Sequence, residues 1–191
     1  TRADVFSMGE YIVGGETGYS RKIIEFAKQN DESHLQHFLN QLQGFFTTRF
    51  KGDMDLDYIT VYPSSSGGYH QQLANLAKIV AKQRDFEYKP LLYRSESRTS
   101  QKHLTDRKKK WANQLGSIGV KADVSDDTII ILDDVCTTGA SLTVATNQLL
   151  EHGADQVIAT CLGLSNTYTE SKRRKLWDEK HSVSGQIKNG I

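Results

Sequence analysis

The residues best suited to chemistry form one run, Ile129-Ile130-Ile131-Leu132-Asp133-Asp134-Val135-Cys136-Thr137-Thr138-Gly139-Ala140-Ser141. The four apolar residues predict a buried parallel strand, and open α/β sheets present ligands at the carboxyl ends of such strands. The two acids would stand at that end. Carboxylates accept hydrogen bonds from hydroxyls and are hard oxygen ligands for Mg²⁺. The small, hydroxyl-bearing turn then opens a helix, whose N-terminal N–H groups and dipole suit an anion. A ribose phosphate needs both features side by side. Adjacent acids after a strand also occur as plain polar turns with a helix cap. The Thr-Thr-Gly-Ala-Ser continuation argues against that reading. No Gly-Lys-Ser/Thr and no Gly-x-Gly-x-x-Gly occurs, so Walker-type and dinucleotide loops are excluded.

A second constellation runs from Tyr62 to Gly68, again as strand, small polar turn, helix. Ser64, Ser65, Ser66, Gly67 and Gly68 let backbone N–H groups approach an anion with little steric hindrance. Alone it is an ordinary strand-to-helix loop; beside an acid-bearing turn on another strand it becomes a second candidate anion loop. The third is polar and basic: Arg94-Ser95-Glu96-Ser97-Arg98-Thr99-Ser100-Gln101-Lys102-His103, continuing to Arg107-Lys108-Lys109-Lys110. It reads as a solvated surface, a nucleic-acid patch or a mobile cationic lid. Aromatic interleaving is poor, so nucleic acid is not expected. Charge builds on a leaving pyrophosphate as its C–O bond breaks, and a lid can bring cations to it.

These groups need a scaffold, and the rest of the chain predicts one. Tyr11-Ile12-Val13 before a glycine turn reads as a strand or hairpin, and Ser20 as the cap of a helix bearing Ile23, Ile24, Phe26 and Ala27. Leu35, Phe38, Leu39, Leu42, Phe45 and Phe46 recur at helical spacing. Tyr58–Tyr62 predicts a strand stopped by Pro63, followed by a helix carrying Leu73, Leu76, Ala77 and Val80. Pro90–Tyr93 predicts a short strand. Thr128–Leu132 is the expected central strand, Ser141–His152 a helix ended by Gly153, and Gln156–Leu162 a further strand. Alternating strands and helices imply a parallel sheet with right-handed crossovers. The N-terminal helical part would cover a sheet edge or form a small hood. His34 and His37 read as a solvated helix face rather than a metal site.

At 191 residues the chain fits one domain, 1–191, with 182–191 expected as a disordered tail. A net charge of +1 provides no field for recruiting nucleic acid or membrane. No apolar stretch is long enough to span a bilayer, and no leader pattern is expected from the first residues. The two cysteines, Cys136 and Cys161, form neither a disulfide framework nor a metal-type pair, so reduced thiols in a cytoplasm are expected.

The run through Asp133-Asp134 and Thr137-Thr138-Gly139-Ala140-Ser141 resembles the 5-phosphoribosyl-1-pyrophosphate (PRPP) motif of type I phosphoribosyltransferases. Within that family, Gly68-Tyr69-His70-Gln71 with Leu73 and Leu76 is similar to the ComF-like (competence protein ComF) group. So are Arg94, Arg98, Thr99, Gln101, Leu104 and Asn113, and Tyr19 with Arg21, Ile24 and Lys28. The likeness covers roughly residues 11 to 165 and departs from ComF proteins at two points. The N-terminal zinc module is absent, and Gly67 stands where an arginine is usual. The resemblance implies an α/β fold with the family's parallel-sheet core, flanked by helices and a small hood part. It implies Mg²⁺-assisted phosphoribosyl transfer from PRPP to a nitrogenous acceptor, with pyrophosphate released. Asp133 and Asp134 would hold the ribose hydroxyls, directly or through Mg²⁺. Thr137, Thr138, Gly139, Ala140 and Ser141 would wrap the 5′-phosphate, and Ser64, Ser65, Ser66 and Gly67 would hold pyrophosphate. Arg94 and Arg98 would close over it. Purine-salvage members often carry Asp at the position of Thr137, so purine transfer by that route is disfavoured. A non-catalytic PRPP- or nucleotide-sensing protein acting with a partner is the alternative, and a homodimer is left open.

Overall fold

The computed structural model describes residues 3–14, 17–50, 55–95 and 117–165. Five strands form one parallel sheet in the order β1-β7-β6-β2-β3. They are β1 (Val5–Tyr11), β2 (Tyr58–Val61), β3 (Glu87–Tyr88), β6 (Thr128–Cys136) and β7 (Gln156–Ser165). A separate antiparallel pair joins β4 (Leu92–Arg94) to β5 (Ile118–Val120). The helices are α1 (Gly18–Ile23), which continues as a π-helical turn over Ile24–Lys28, then α2 (Leu35–Arg49), α3 (Gln71–Arg84) and α4 (Ala140–Glu151).

The near-continuous apolar run of β6 follows from its burial on both faces. Alternate residues point to opposite sides of a strand. Ile130 and Leu132 meet Ile23, Phe26, Phe38, Leu42 and Leu73, which come from α1, its π turn, α2 and α3. Ile129 and Ile131 pack with Leu142, Val144, Ala145 and Leu149 of α4. The result is helix, sheet, helix in three layers. The expected N-terminal helical part is present and packs onto one sheet face beside α3.

Differences from the sequence reading have local causes. The first strand starts at Val5 and stops at Tyr11, so Val13 lies beyond it and is exposed. β1 is an edge strand whose residues are mostly half-buried, and its apolar signal is correspondingly weak. Thr17, not Ser20, caps α1: its hydroxyl accepts the Ser20 N–H at 3.1 Å. Ser20 is buried one turn in, and its Oγ accepts the Ile12 N–H at 2.8 Å. β6 runs through Cys136, so both acids lie inside the strand rather than after it. The sequence 96–116, which includes most of the basic stretch, and the tail 182–191 lie outside the described residues.

Candidate functional site

Strands β2 and β6 are neighbours, with Val61 opposite Leu132 and the Tyr62 N–H bonded to the Leu132 carbonyl at 2.9 Å. From β2 the chain crosses through α3 on one face to β3; from β6 it crosses through α4 on the other face to β7. Connections leaving adjacent strands in opposite directions open a crevice at their carboxyl ends, the ordinary ligand position of such sheets. The acid pair and the serine-glycine turn, far apart in sequence, are thereby brought to the carboxyl ends of neighbouring strands.

Asp133 is 8% exposed and faces β7 at the level of Cys161. Its Oδ1 accepts the Asp134 N–H at 2.9 Å, and Asp134 Oδ1 accepts the Val135 N–H at 2.7 Å. Burial, and then the Asp134 charge beside it, push the Asp133 carboxyl well above the usual carboxylate range. Removing a lone charge from water is costly, and a like charge adds to the cost. Cys136 and Cys161 are free and buried, and burial likewise raises the Cys161 thiol.

The turn after β6 encloses a hollow of about 30 Å³ lined by Asp133, Cys136, Thr137, Thr138, Gly139 and Ser141, with Val135 and Leu142 behind. That is room for about two oxygen-sized groups. Gly139 caps α4 at φ 72°, a left-handed conformation that suits glycine. Glycine offers no side chain to the cap, and the Thr143 N–H closes the first turn onto the Gly139 carbonyl at 2.9 Å. The Ala140 N–H reaches Thr138 Oγ1 at 3.3 Å. The helix start therefore lines the hollow with N–H groups and the positive end of its dipole. Asp133 belongs to this lining, whereas Asp134, next along the strand, does not.

The turn after β2 is tighter. Ser64 N–H bonds the Gly68 carbonyl at 2.9 Å, and Gly67 N–H bonds the Ser64 carbonyl at 3.1 Å. Gly67 and Gly68 take φ 87° and 67°, which reverses the chain into α3. The N–H groups of Ser65, Ser66 and Gly68 are not drawn into these bonds. Arg94, expected from the sequence to close over a leaving group, lies against this turn. Its Nε donates to the Ser64 carbonyl at 3.1 Å and its Nη2 to the Pro63 carbonyl at 3.3 Å. Arg98 lies outside the described residues. Sequence reasoning gave no structural part to Tyr69, whose hydroxyl bonds the Leu92 carbonyl and, at 3.3 Å, that of Pro90. A lone aromatic directly after a glycine pair was the available signal.

Residues 74–187 match the family model of the Phosphoribosyl transferase domain, and the chain belongs to that family. The interval includes the Asp133-to-Ser141 turn and begins after the serine-glycine turn. Among curated relatives, the ribose-phosphate pyrophosphokinase of Marinomonas sp. (strain MWYL1) is 33% identical over 78 residues, 40% of this chain and 25% of that protein. The ribose-phosphate pyrophosphokinase of Oceanobacillus iheyensis is 26% identical over 140 residues, 73% of this chain and 42% of that protein. The chain thus spans less than half the length of these relatives. A hypoxanthine phosphoribosyltransferase from Staphylococcus aureus has a TM-score of 0.42 and 13% identity, covering 71% of this chain and 74% of that one. The allosteric regulatory enzyme of purine biosynthesis has a TM-score of 0.44 and 14% identity, covering 68% of this chain and 25% of that one. No helix among the described residues is long and apolar enough to cross a membrane.

Proposed function

We propose that this chain binds PRPP and transfers its phosphoribosyl group to a nitrogenous acceptor, releasing pyrophosphate with Mg²⁺. The observation that carries this reading is the adjacency of β2 and β6, which brings two anion-suited turns and an acid pair to the carboxyl ends of neighbouring strands. In the reaction the ribose C1–O bond breaks, pyrophosphate departs with the bonding electrons, and the acceptor nitrogen forms the new bond to C1. Thr137, Thr138, Gly139, Ala140 and Ser141 hold the 5′-phosphate. Ser64, Ser65, Ser66 and Gly67 hold pyrophosphate. Asp133 and Asp134 accept the ribose hydroxyls, and their charge favours the positive character that develops on the sugar. Arg98 adds charge against the departing pyrophosphate.

The donor set fits Mg²⁺. Asp133 is a buried oxygen donor beside the Asp134 carboxylate, and a cation would relieve both its burial and that repulsion. When bound, the ion offsets charge on the pyrophosphate oxygens. Buried, reduced cysteines suit a cytoplasmic setting. The test is a screen of nitrogenous acceptors for PRPP-dependent pyrophosphate release with Mg²⁺, beside calorimetry of PRPP binding. Acceptor-dependent release is expected. Binding without release from any acceptor would favour the sensing alternative within a ComF-like grouping, and absence of binding would overturn the reading.

A second reading is favoured by the name that the curated relatives carry, ribose-phosphate pyrophosphokinase. The same two turns would then serve formation of PRPP from ribose 5-phosphate and a pyrophosphoryl donor. Appearance of PRPP from ribose 5-phosphate and a nucleoside triphosphate would select it.

A further inference from the structure

We propose that the antiparallel β4–β5 pair is a brace for the pyrophosphate turn and that Arg94 acts in it as a positioning residue. The proposal rests on the phosphoribosyl reading for the turn's ligand, but the brace itself is a property of the protein without ligand.

Both ends of the turn are tied to the short strand β4. At the first end, the planar Arg94 guanidinium lies over the Tyr62 ring, 5.1 Å from its centroid, and donates to the Pro63 and Ser64 carbonyls. At the other end, Tyr69 donates to the Leu92 carbonyl, and Lys121, just past β5, stands 5.5 Å from the Tyr69 ring centroid. The brace has its own footing. The Leu91 N–H bonds the buried Thr60 hydroxyl of β2 at 3.1 Å, and the Lys121 N–H bonds the Leu91 carbonyl at 2.8 Å. Leu91, Leu92 and Ile118 are buried in the α4-side core. The strand pair is thus anchored by apolar packing and presents a donor fork to the turn.

The consequence concerns carbonyl direction. A carbonyl oxygen accepts two hydrogen bonds, and that of Ser64 takes both, from Gly67 N–H and Arg94 Nε. An anion is repelled by carbonyl oxygens and attracted by N–H groups. Holding the Pro63 and Ser64 carbonyls toward Arg94 keeps them occupied by a cation, which favours a turn that offers its N–H groups. A guanidinium suits this task because it stacks flat on the ring while two of its nitrogens donate in a fixed planar fork; an ammonium keeps the charge but has no flat face and only one nitrogen to donate from. Arg94 therefore acts through the turn.

The experiment uses Arg94→Ala, Arg94→Lys and Tyr69→Phe in the full chain, with three readouts. The first is amide hydrogen exchange at Ser64 and Gly67 without ligand. The second and third are calorimetric affinities for inorganic pyrophosphate with Mg²⁺ and for ribose 5-phosphate. We expect each variant to speed exchange at both amides by roughly tenfold, since each bond lost is a modest net contribution. Pyrophosphate affinity should fall in all three, with Arg94→Lys no better than Arg94→Ala, while ribose 5-phosphate affinity stays at the wild-type value. A general loss of stability would lower both affinities together, and that outcome would overturn the proposal. So would unchanged exchange in all three variants, or wild-type pyrophosphate affinity in Arg94→Lys alone, which would make Arg94 a direct charge contact. If the wild-type protein binds neither probe, the phosphoribosyl reading fails, and the exchange rates alone still decide the brace.

Discussion

The turn after β6 takes its shape from its own neighbours in sequence, whereas the turn after β2 takes part of its shape from a strand pair further along the chain. In the first, a left-handed Gly139 starts α4, Thr138 meets Ala140, and the strand acids bond the next N–H groups along. In the second, Arg94 and Tyr69 tie both ends to β4. Locally determined structure survives loss of distant contacts; braced structure does not. If both turns hold phosphate groups, the 5′-phosphate side is preformed by sequence, and the pyrophosphate side is set by packing.

The largest expected effect tests the locally built turn. In Asp133→Asn with Asp134→Asn, ribose and metal contacts are removed while side-chain volume is kept. Each charge-assisted hydrogen bond contributes about 1.5–3 kcal/mol, so calorimetry should show PRPP binding with Mg²⁺ weakened by at least roughly tenfold. Unchanged affinity in this folded variant would remove the acid pair from the site. Thermal stability near neutral pH should not fall in the same variant, because an amide in place of the Asp133 carboxyl brings no charge into a buried position.

A smaller effect sharpens the difference between the turns. Alanine at Gly67 would meet open space, and at Gly139 only Cys136 Sγ at an ordinary contact distance of 4.0 Å, so the cost is one of backbone conformation at positive φ. Left-handed backbone costs a non-glycine residue about 1–2 kcal/mol. At Gly139 the strain falls on the start of α4, a core helix, and denaturant unfolding should register most of it. At Gly67 the strain falls in an exposed turn that can shift locally, so less should appear in global stability and more in pyrophosphate affinity. Equal global losses would mean that both turns are equally rigid.

The smallest effect lies away from both turns, among the N-terminal helices. Helical spacing predicts His37 on a solvated face, yet its Nε2 is enclosed with no hydrogen-bond partner among the described residues, and its ring meets Tyr19 and Phe38 edge-on. Burial, then the Lys22 and His34 charges, lower its pKa from the usual 6.5. The unfolded chain therefore takes up this proton at higher pH than the native one. The His37 contribution to stability is present above about pH 6.5 and is lost as pH falls through the lower folded value. Thermal melts of His37→Gln should show a shallower decline below about pH 6.5 than the wild type, with PRPP binding unaffected. An identical pH profile would remove the buried imidazole from the acid sensitivity of this layer.

What could be read from sequence was what local patterns carry. The run Ile129–Leu132 predicted a strand buried on both sides, and it is the middle strand of the sheet. The α2 stripe through Phe38, Leu42 and Phe46 and the α3 stripe through Leu73 and Val80 are core, as helical spacing implies. Small hydroxyl and glycine residues after β2 and β6 marked both turns. The edge strands gave weak signals: β1 is half-buried, and β3 is two residues long. His37 misled because its i,i+3 partner His34 is hydrogen-bonded to Glu25 at 2.7 Å, whereas His37 itself turns toward Tyr19 and Phe38. The placement of Arg94 could not be read at all. A basic residue after a short strand is equally a lid cation or a structural donor, and nothing local distinguishes them.

By itself the chain determined the two phosphate-suited turns, the acid pair and the helical stripes, because these rest on bond geometry, glycine conformations and the period of apolar residues along one segment. Only the tertiary structure decided that β2 and β6 lie side by side, that the buried Asp133 lines the hollow while Asp134 does not, and that Arg94 faces the Pro63 and Ser64 carbonyls. Strand order and long-range hydrogen bonds depend on how whole helices and strands cover one another, and their energy is shared among residues far apart in sequence. No single segment carries that information.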